Sequence, residues 1–92
     1  MKPRKPRKPK AGSVTKQMEK VAALSHQMER ERQRHSNKRM SIAIQRDALA
    51  GVADPALRTS LLAKLRYDET EEYQRHKDKV AELERRLREA RR

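Results

Sequence analysis

Apolar residues recur at helical spacing along the first half of the chain. Positions four, three, four and three residues apart fall on one face of a helix; they are Val14, Met18, Val21, Ser25 and Met28. The stripe lapses at Arg32, His35 and Arg39 and resumes with Met40. Because residues 13–50 contain neither proline nor glycine, and Ser13 suits an N-cap, the pattern predicts one helix over residues 13–50.

A reversal follows this helix. Gly51 suits a helix end in the left-handed backbone region, and Asp54 with Pro55 is a strong start signal for the next helix. Because these signals lie so close together, the sequence predicts a tight turn over residues 51–54.

A second helix is predicted over residues 55–91. A leucine cluster next to the turn comprises Leu57, Leu61, Leu62 and Leu65, and a second apolar stripe comprises Tyr73, His76, Val80, Leu83, Leu87 and Ala90. The register slips between the two groups, and Asp68 with Glu71 resembles a capping pair. We therefore expect a kink or a short break near residue 67.

The two helices complement one another when folded back to back. If residue numbers of facing positions add up to about 104, apolar stretches meet, and the cationic residues 29–39 lie against the acidic residues 66–75. The predicted fold is all-α, a long coiled-coil-like antiparallel hairpin over residues 13–92. Two helices alone leave apolar surface uncovered, so we expect a homodimer or docking into a larger assembly.

The N-terminal residues 1–12 carry half of the net charge of +12, with six basic side chains and no acidic one. These side chains are Lys2, Arg4, Lys5, Arg7, Lys8 and Lys10. A proline at every third position disfavours a helix and favours an extended backbone. Such an arm is suited to neutralising a row of phosphates without reading base sequence, on either DNA or RNA.

A second group of cations lies on the first helix, including Arg30, Arg34 and Lys38. Two interpretations remain open for this group. The cations extend the phosphate-binding track of the arm, or they pair with the acidic stretch of the second helix. Interspersed Glu29 and Glu31 favour the second interpretation in part.

Several classes of function are disfavoured by what the sequence lacks. It has no cysteine, no glycine-rich phosphate loop and no nucleophile elbow, so we expect no enzyme, cofactor, metal or small-molecule substrate. His35 and His76 fall on the apolar stripes, where packed spacers are commoner than metal ligands. No apolar run approaches the ~20 residues that span a bilayer, and no secretory signal is recognisable. We expect an intracellular site: cytoplasm or nucleoid, nucleus, or the interior of a ribosome or virion.

Two resemblances support a structural role. Residues 54–66, which continue into Glu72 and Tyr73, resemble the helical part of small phage scaffolding proteins. A basic extension leading into a long helical hairpin is similar in architecture to some helical ribosomal proteins. Neither resemblance assigns a role to a particular residue.

These observations give two hypotheses. In the first, a non-enzymatic structural protein binds nucleic acid through the basic arm, and the hairpin dimerises or docks into a nucleoprotein assembly. In the second, the chain is a helical assembly or adaptor protein, similar to phage scaffolding or capsid-associated proteins, and the arm is only a tail or localisation signal. The second uses an apolar protein interface of Val14, Met18, Val21, Met28, Leu61, Leu65, Val80, Leu83 and Leu87.

Overall fold

The chain forms two long helices that fold back on one another. The computed structural model describes the backbone of residues 7–92 and the side chains of residues 14–92. Helix α1 spans Arg7–Ala48, a short 3₁₀ helix spans Leu49–Gly51, and helix α2 spans Pro55–Ala90. No strand occurs within residues 7–92. The all-α class and the helical hairpin are confirmed, and the hairpin is a rod whose longer helix, α1, is roughly 63 Å long at 1.5 Å per residue.

Helix α1 begins at Arg7, six residues before the predicted start at Ser13. Residues 7–12 of the predicted extended arm thus belong to α1, and residues 1–6 lie outside the described part of the chain. Pro9 is compatible with this start because it stands in the first turn, where backbone N–H groups have no partner within the helix. Ser13 lies inside the helix and does not cap it.

The reversal uses a 3₁₀ turn and a side-chain clamp. Gly51 closes the 3₁₀ helix without a positive φ, so the predicted left-handed helix end is wrong. Arg58 donates from Nε and Nη2 to the carbonyl of Val52 at 3.1 and 2.9 Å. The Asp54 carboxylate accepts from the backbone N–H groups of Ala56 and Leu57, which confirms it as the N-cap of α2, with Pro55 in the first turn. From there α2 is one unbroken helix through residue 67, where a kink was predicted.

Three hydrogen bonds between the helices share one register, in which the residue numbers of the partners add up to 107. They join Gln17 to Ala90, Glu31 to His76, and His35 to Glu72. The register therefore differs from the predicted one by three residues, which is close to one helical turn. The predicted register followed from the position of the turn, whereas in the structure polar contacts of Glu31, His35 and Glu72 lie between the helices and match other residue pairs.

The apolar core is divided along the rod. Near the open end of the hairpin it comprises Leu24, Met28, Leu83 and Ala90, flanked by Val21, Val80 and Leu87. Nearer the closed end Ile42 and Leu65 are buried. Tyr73, predicted on the apolar stripe of α2, is instead 62% exposed. Polar side chains fill the contact between the two apolar segments.

Candidate nucleic-acid interface and the central polar cluster

Five polar side chains fill the middle of the hairpin, and we call them the central polar cluster: Glu31, His35, Glu72, Arg75 and His76. The two histidine rings stack with centroids 3.8 Å apart and planes 7° from parallel. Each ring places Nδ1 against a carboxylate of the other helix, His35 against Glu72 at 2.9 Å and His76 against Glu31 at 2.8 Å. The two carboxylates are buried, so these contacts lie largely out of water.

Arg75 joins the two carboxylates. Its guanidinium donates two hydrogen bonds to Glu31, at 3.1 and 2.8 Å, and two to Glu72, at 3.0 and 2.7 Å. This bidentate geometry is the strong form of an ion pair, because a planar, positively charged guanidinium donates two parallel hydrogen bonds to a planar, negatively charged carboxylate. One arginine thus ties α2 to α1 and fixes the orientation of both acids.

The cluster holds its carboxylates in the charged form. Hydrogen bonding from Arg75, opposed by burial and helped by a hydrogen bond from His35, lowers the pKa of Glu72 to about 2. Burial by itself raises the pKa of Glu31, but hydrogen bonds from Arg75 and His76 outweigh it, and that pKa is also lowered. Because both acids are ionised, they accept the hydrogen bonds, and each imidazole donates from Nδ1.

A repeat in the sequence underlies this arrangement. Residues Leu24, Glu31, His35 and Ile42 in α1 are matched 41 positions later by Leu65, Glu72, His76 and Leu83 in α2. An antiparallel pair of helices with the same pattern is related by an approximate two-fold axis, which here passes between the stacked rings. The signal that sequence reasoning missed was this shared Leu-x6-Glu-x3-His-x6-Ile/Leu spacing.

The cluster is internally satisfied. No buried side-chain nitrogen or oxygen lacks a hydrogen-bond partner in the described part of the chain. Nor do residues with described side chains include a group of three or more histidine, cysteine or acidic residues arranged to hold a metal ion. Its hydrogen bonds join the two helices and match particular residues across the helix contact.

A row of cations follows one flank of α1, and we call it the basic stripe: Lys16, Lys20, Arg30, Arg34 and Lys38. All five side chains are exposed. With Ala23 and Gln27 they continue a spacing of three or four residues, which keeps them on one side of the helix. The stripe is roughly 33 Å long at 1.5 Å per residue.

The stripe is not neutralised by the rest of the hairpin. Within residues 14–92, none of its five cations forms an ion pair or a hydrogen bond. A groove lined by Lys20 and Gln27 of α1 also contains Arg86 and Glu89 of α2. Glu89 is already paired with Arg85 at 2.9 Å, and Arg86 with another acid of α2.

The acid-pairing interpretation of the second cationic group does not match the contacts. Arg30, Arg34 and Lys38 form no ion pair with α2 in the described part of the chain. Apart from the two histidine–carboxylate contacts, the cross-helix ion pairs among residues 14–92 join Arg46 to Glu69 and Arg75 to Glu31, and the second has its acid on α1. The positive charge of the stripe is therefore available to a ligand.

The other predicted phosphate-binding residues lie at the start of the chain. Lys2, Arg4 and Lys5 are outside the described residues. The backbones of Arg7, Lys8 and Lys10 belong to α1, and their side chains are also outside the described part. In the sequence these residues precede the stripe directly, so the basic region is continuous along the chain.

Most predicted protein-interface residues pack within the hairpin. Met28, Leu65 and Leu83 are buried, whereas Leu61, Val21, Val80 and Leu87 are partly buried. Val14 and Met18 are 52% and 67% exposed. An interface along the whole predicted stripe would compete with the core of the molecule itself.

Comparisons with protein-family models, curated proteins and solved structures found no match to this chain. Within the described part of the chain, neither helix contains a stretch both long and apolar enough to cross a bilayer.

Proposed function

We propose that the chain is a non-enzymatic structural protein that binds the phosphate backbone of nucleic acid. The basic stripe and the basic residues before it form the contact surface. The observation that carries this proposal is the stripe itself, five exposed cations on one flank of a long helix without acidic partners among residues 14–92. Such a surface attracts a polyanion and releases its counterions.

The stripe favours backbone contacts over reading of bases. Lysine and arginine side chains four residues apart lie ~6 Å apart along the helix axis and can each meet a phosphate oxygen. Base reading in single strands uses aromatic side chains as stacking platforms. Tyr67 and Tyr73 are the aromatic residues of the chain apart from histidine, and neither lies on α1.

The test compares two variants with the same loss of charge. In the first, Arg30, Arg34 and Lys38 of the stripe are changed to glutamine. In the matched control, the same change is made at Arg32, Arg39 and Arg46, which lie elsewhere around α1. Each variant loses three positive charges from one helix. Binding of labelled duplex DNA and structured RNA is then measured by fluorescence anisotropy across a salt series.

The proposal predicts that the stripe variant loses affinity and that its salt slope falls by about one for each phosphate contact removed. The control keeps most of its affinity, because two of its three arginines are already paired, Arg32 with Glu29 and Arg46 with Glu69. Equal losses in both variants would mean that net charge alone matters. Failure of the unmodified protein to bind either nucleic acid would reject the proposed function.

A further inference from the structure

We propose that α2 completes the phosphate-binding surface with two cations of its own, Lys79 and Arg86, which we call the groove cations. This inference rests on the proposed function and extends its contact surface from α1 to both helices. The ligand is the phosphate backbone of a nucleic-acid strand that lies along the groove between the helices.

The basic stripe has a gap near the open end of the hairpin. No lysine or arginine occurs between Lys20 and Arg30, and Ala23 and Gln27 continue the spacing of the stripe there. Ten residues of helix correspond to roughly 15 Å, which exceeds the Debye length of about 8 Å at physiological ionic strength. On α1 alone, the two ends of the stripe would therefore attract phosphates almost independently.

Arg86 of α2 lies across a groove from this gap. The groove has Ala23 and Gln27 on its α1 side and Arg86 on its α2 side. In the register set by the hydrogen bonds between the helices, Arg86 stands opposite residue 21, at the start of the gap. A cation of the second helix thus borders the part of the surface where the first helix has none.

Lys79 lies on the same flank of α2. Lys79, Glu82 and Arg86 are three and four residues apart, which places them on one side of the helix. The repeat of 41 positions matches Lys79 to Lys38 of the stripe, so the approximate two-fold axis relates the two flanks. In the same register Lys79 stands opposite residue 28. With both groove cations counted, the largest interval between charges along the gap falls to roughly 10 Å, close to the Debye length.

The present partner of both groove cations is a single acid. Glu82 accepts from Lys79 at 3.7 Å and from Arg86 at 2.8 Å. All three side chains are more than a third exposed, so water screens these ion pairs and makes them weak. Because two cations share one carboxylate, the group keeps a positive charge. A phosphate can replace Glu82 as their partner without breaking a buried contact.

The first experiment compares two double variants of the full-length protein by fluorescence anisotropy with labelled duplex DNA across a salt series. The groove variant carries Lys79→Gln and Arg86→Gln. The matched control carries Lys77→Gln and Arg88→Gln, which also remove one lysine and one arginine from α2. Each control position is two residues from its counterpart and so lies on the opposite side of the helix. Both control side chains are exposed, and neither forms an ion pair among residues 14–92.

The groove variant should bind about tenfold more weakly at about 0.1 M salt, and its salt slope should fall by about two, one for each phosphate contact removed. The control should lose less, although its cations are unpaired and net charge alone would favour them. If the control loses as much affinity as the groove variant or more, this inference is wrong even where the basic stripe binds nucleic acid. If the unmodified protein binds no nucleic acid, the proposed function fails and this inference fails with it.

A second experiment removes the competing acid instead of the cations. Glu82→Gln should raise the affinity for duplex DNA several-fold, because it frees both groove cations. Glu84→Gln is the matched control, since it removes the same charge from the opposite side of α2, and it should raise the affinity less. Equal gains in the two variants, or weaker binding by Glu82→Gln, would contradict the inference.

Discussion

Replacing Arg75 with methionine would remove the cation that neutralises both acids of the central polar cluster. Arg75 donates two hydrogen bonds to Glu31 and two to Glu72, and it is the guanidinium in contact with both. Methionine keeps most of the side-chain length and its packing. The substitution would leave two buried carboxylates with only the hydrogen bonds of the histidines.

The loss of stability expected for Arg75→Met follows from the burial of the ion pairs that it breaks. Removing one partner of a buried ion pair costs about 3–5 kcal/mol, because the remaining charge has lost its compensation. A third of the Arg75 side chain is exposed, so water screens part of this loss, and we expect about 2–3 kcal/mol. A chain of this length has a typical unfolding free energy of roughly 5–14 kcal/mol, so the loss is readily measurable.

The assay is urea unfolding followed by far-ultraviolet circular dichroism at neutral pH. Arg85→Met is the matched control, since Arg85 pairs with Glu89 on the surface of the same helix with both side chains more than half exposed. That change should cost about 0–0.5 kcal/mol. If the two variants lost the same small amount of stability, the buried ion-pair cluster described here would be wrong.

Three further changes test other parts of the fold. Folding lowers the pKa of Glu72 from 4.5 to about 2, so its ionised form should contribute about 3 kcal/mol to the free energy of unfolding above pH 4.5, and this contribution should vanish as the pH falls to about 2. Unfolding of the unmodified protein and of Glu72→Gln, measured across this pH range, would reveal it. A difference in stability between the two proteins that does not change with pH would contradict it. Asp54→Ala should cost about 1 kcal/mol in urea unfolding by removing the N-cap of α2, with Asp54→Asn retaining most of the stability, and equal losses would argue against capping. Gly51→Ala should raise stability by about 0.4–1 kcal/mol, since Gly51 has no positive φ and an added Cβ would meet nothing within 4 Å; a lower melting temperature would contradict this.

The helices and their reversal could be predicted because they depend on local chemistry. Asp54 and Pro55 start a helix by capping and by a fixed φ, whatever lies elsewhere in the chain. The end of α1 was less predictable, because Gly51 fits both a left-handed helix end and a 3₁₀ turn. The start at Arg7 differs from the predicted start because repeated proline disfavours a helix in general, whereas the first turn of a helix tolerates it.

The register and the cluster could not be predicted from apolar periodicity alone. That pattern treats a charged residue as solvent-exposed, and so it left Glu31 and Glu72 out of the helix contact. In the structure both are buried, because Arg75 and the histidines supply enough hydrogen bonds to offset their desolvation. A search for one spacing shared by both helices would have revealed the pair Glu31–His35 and its counterpart Glu72–His76.

The basic stripe was predicted only in part. Its cations Arg30, Arg34 and Lys38 were recognised, but the sequence left open whether acidic residues of α2 would neutralise them. The positions of the side chains on both helices were required to show whether acidic residues of α2 pair with these three cations. Lys16 and Lys20 lie on the same flank of the predicted helix over residues 13–50, so the sequence alone could have added them to the group.

The most direct test of the central claim is the salt dependence of nucleic-acid binding by the full-length protein. Fluorescence anisotropy with duplexes of unrelated sequence gives the affinity at each salt concentration. If six or more phosphates are contacted, log K should fall with log salt at a slope of about −5 or steeper, with similar affinity for each sequence. A slope near zero, or no binding at moderate salt, would show that the basic stripe is not a phosphate-binding surface.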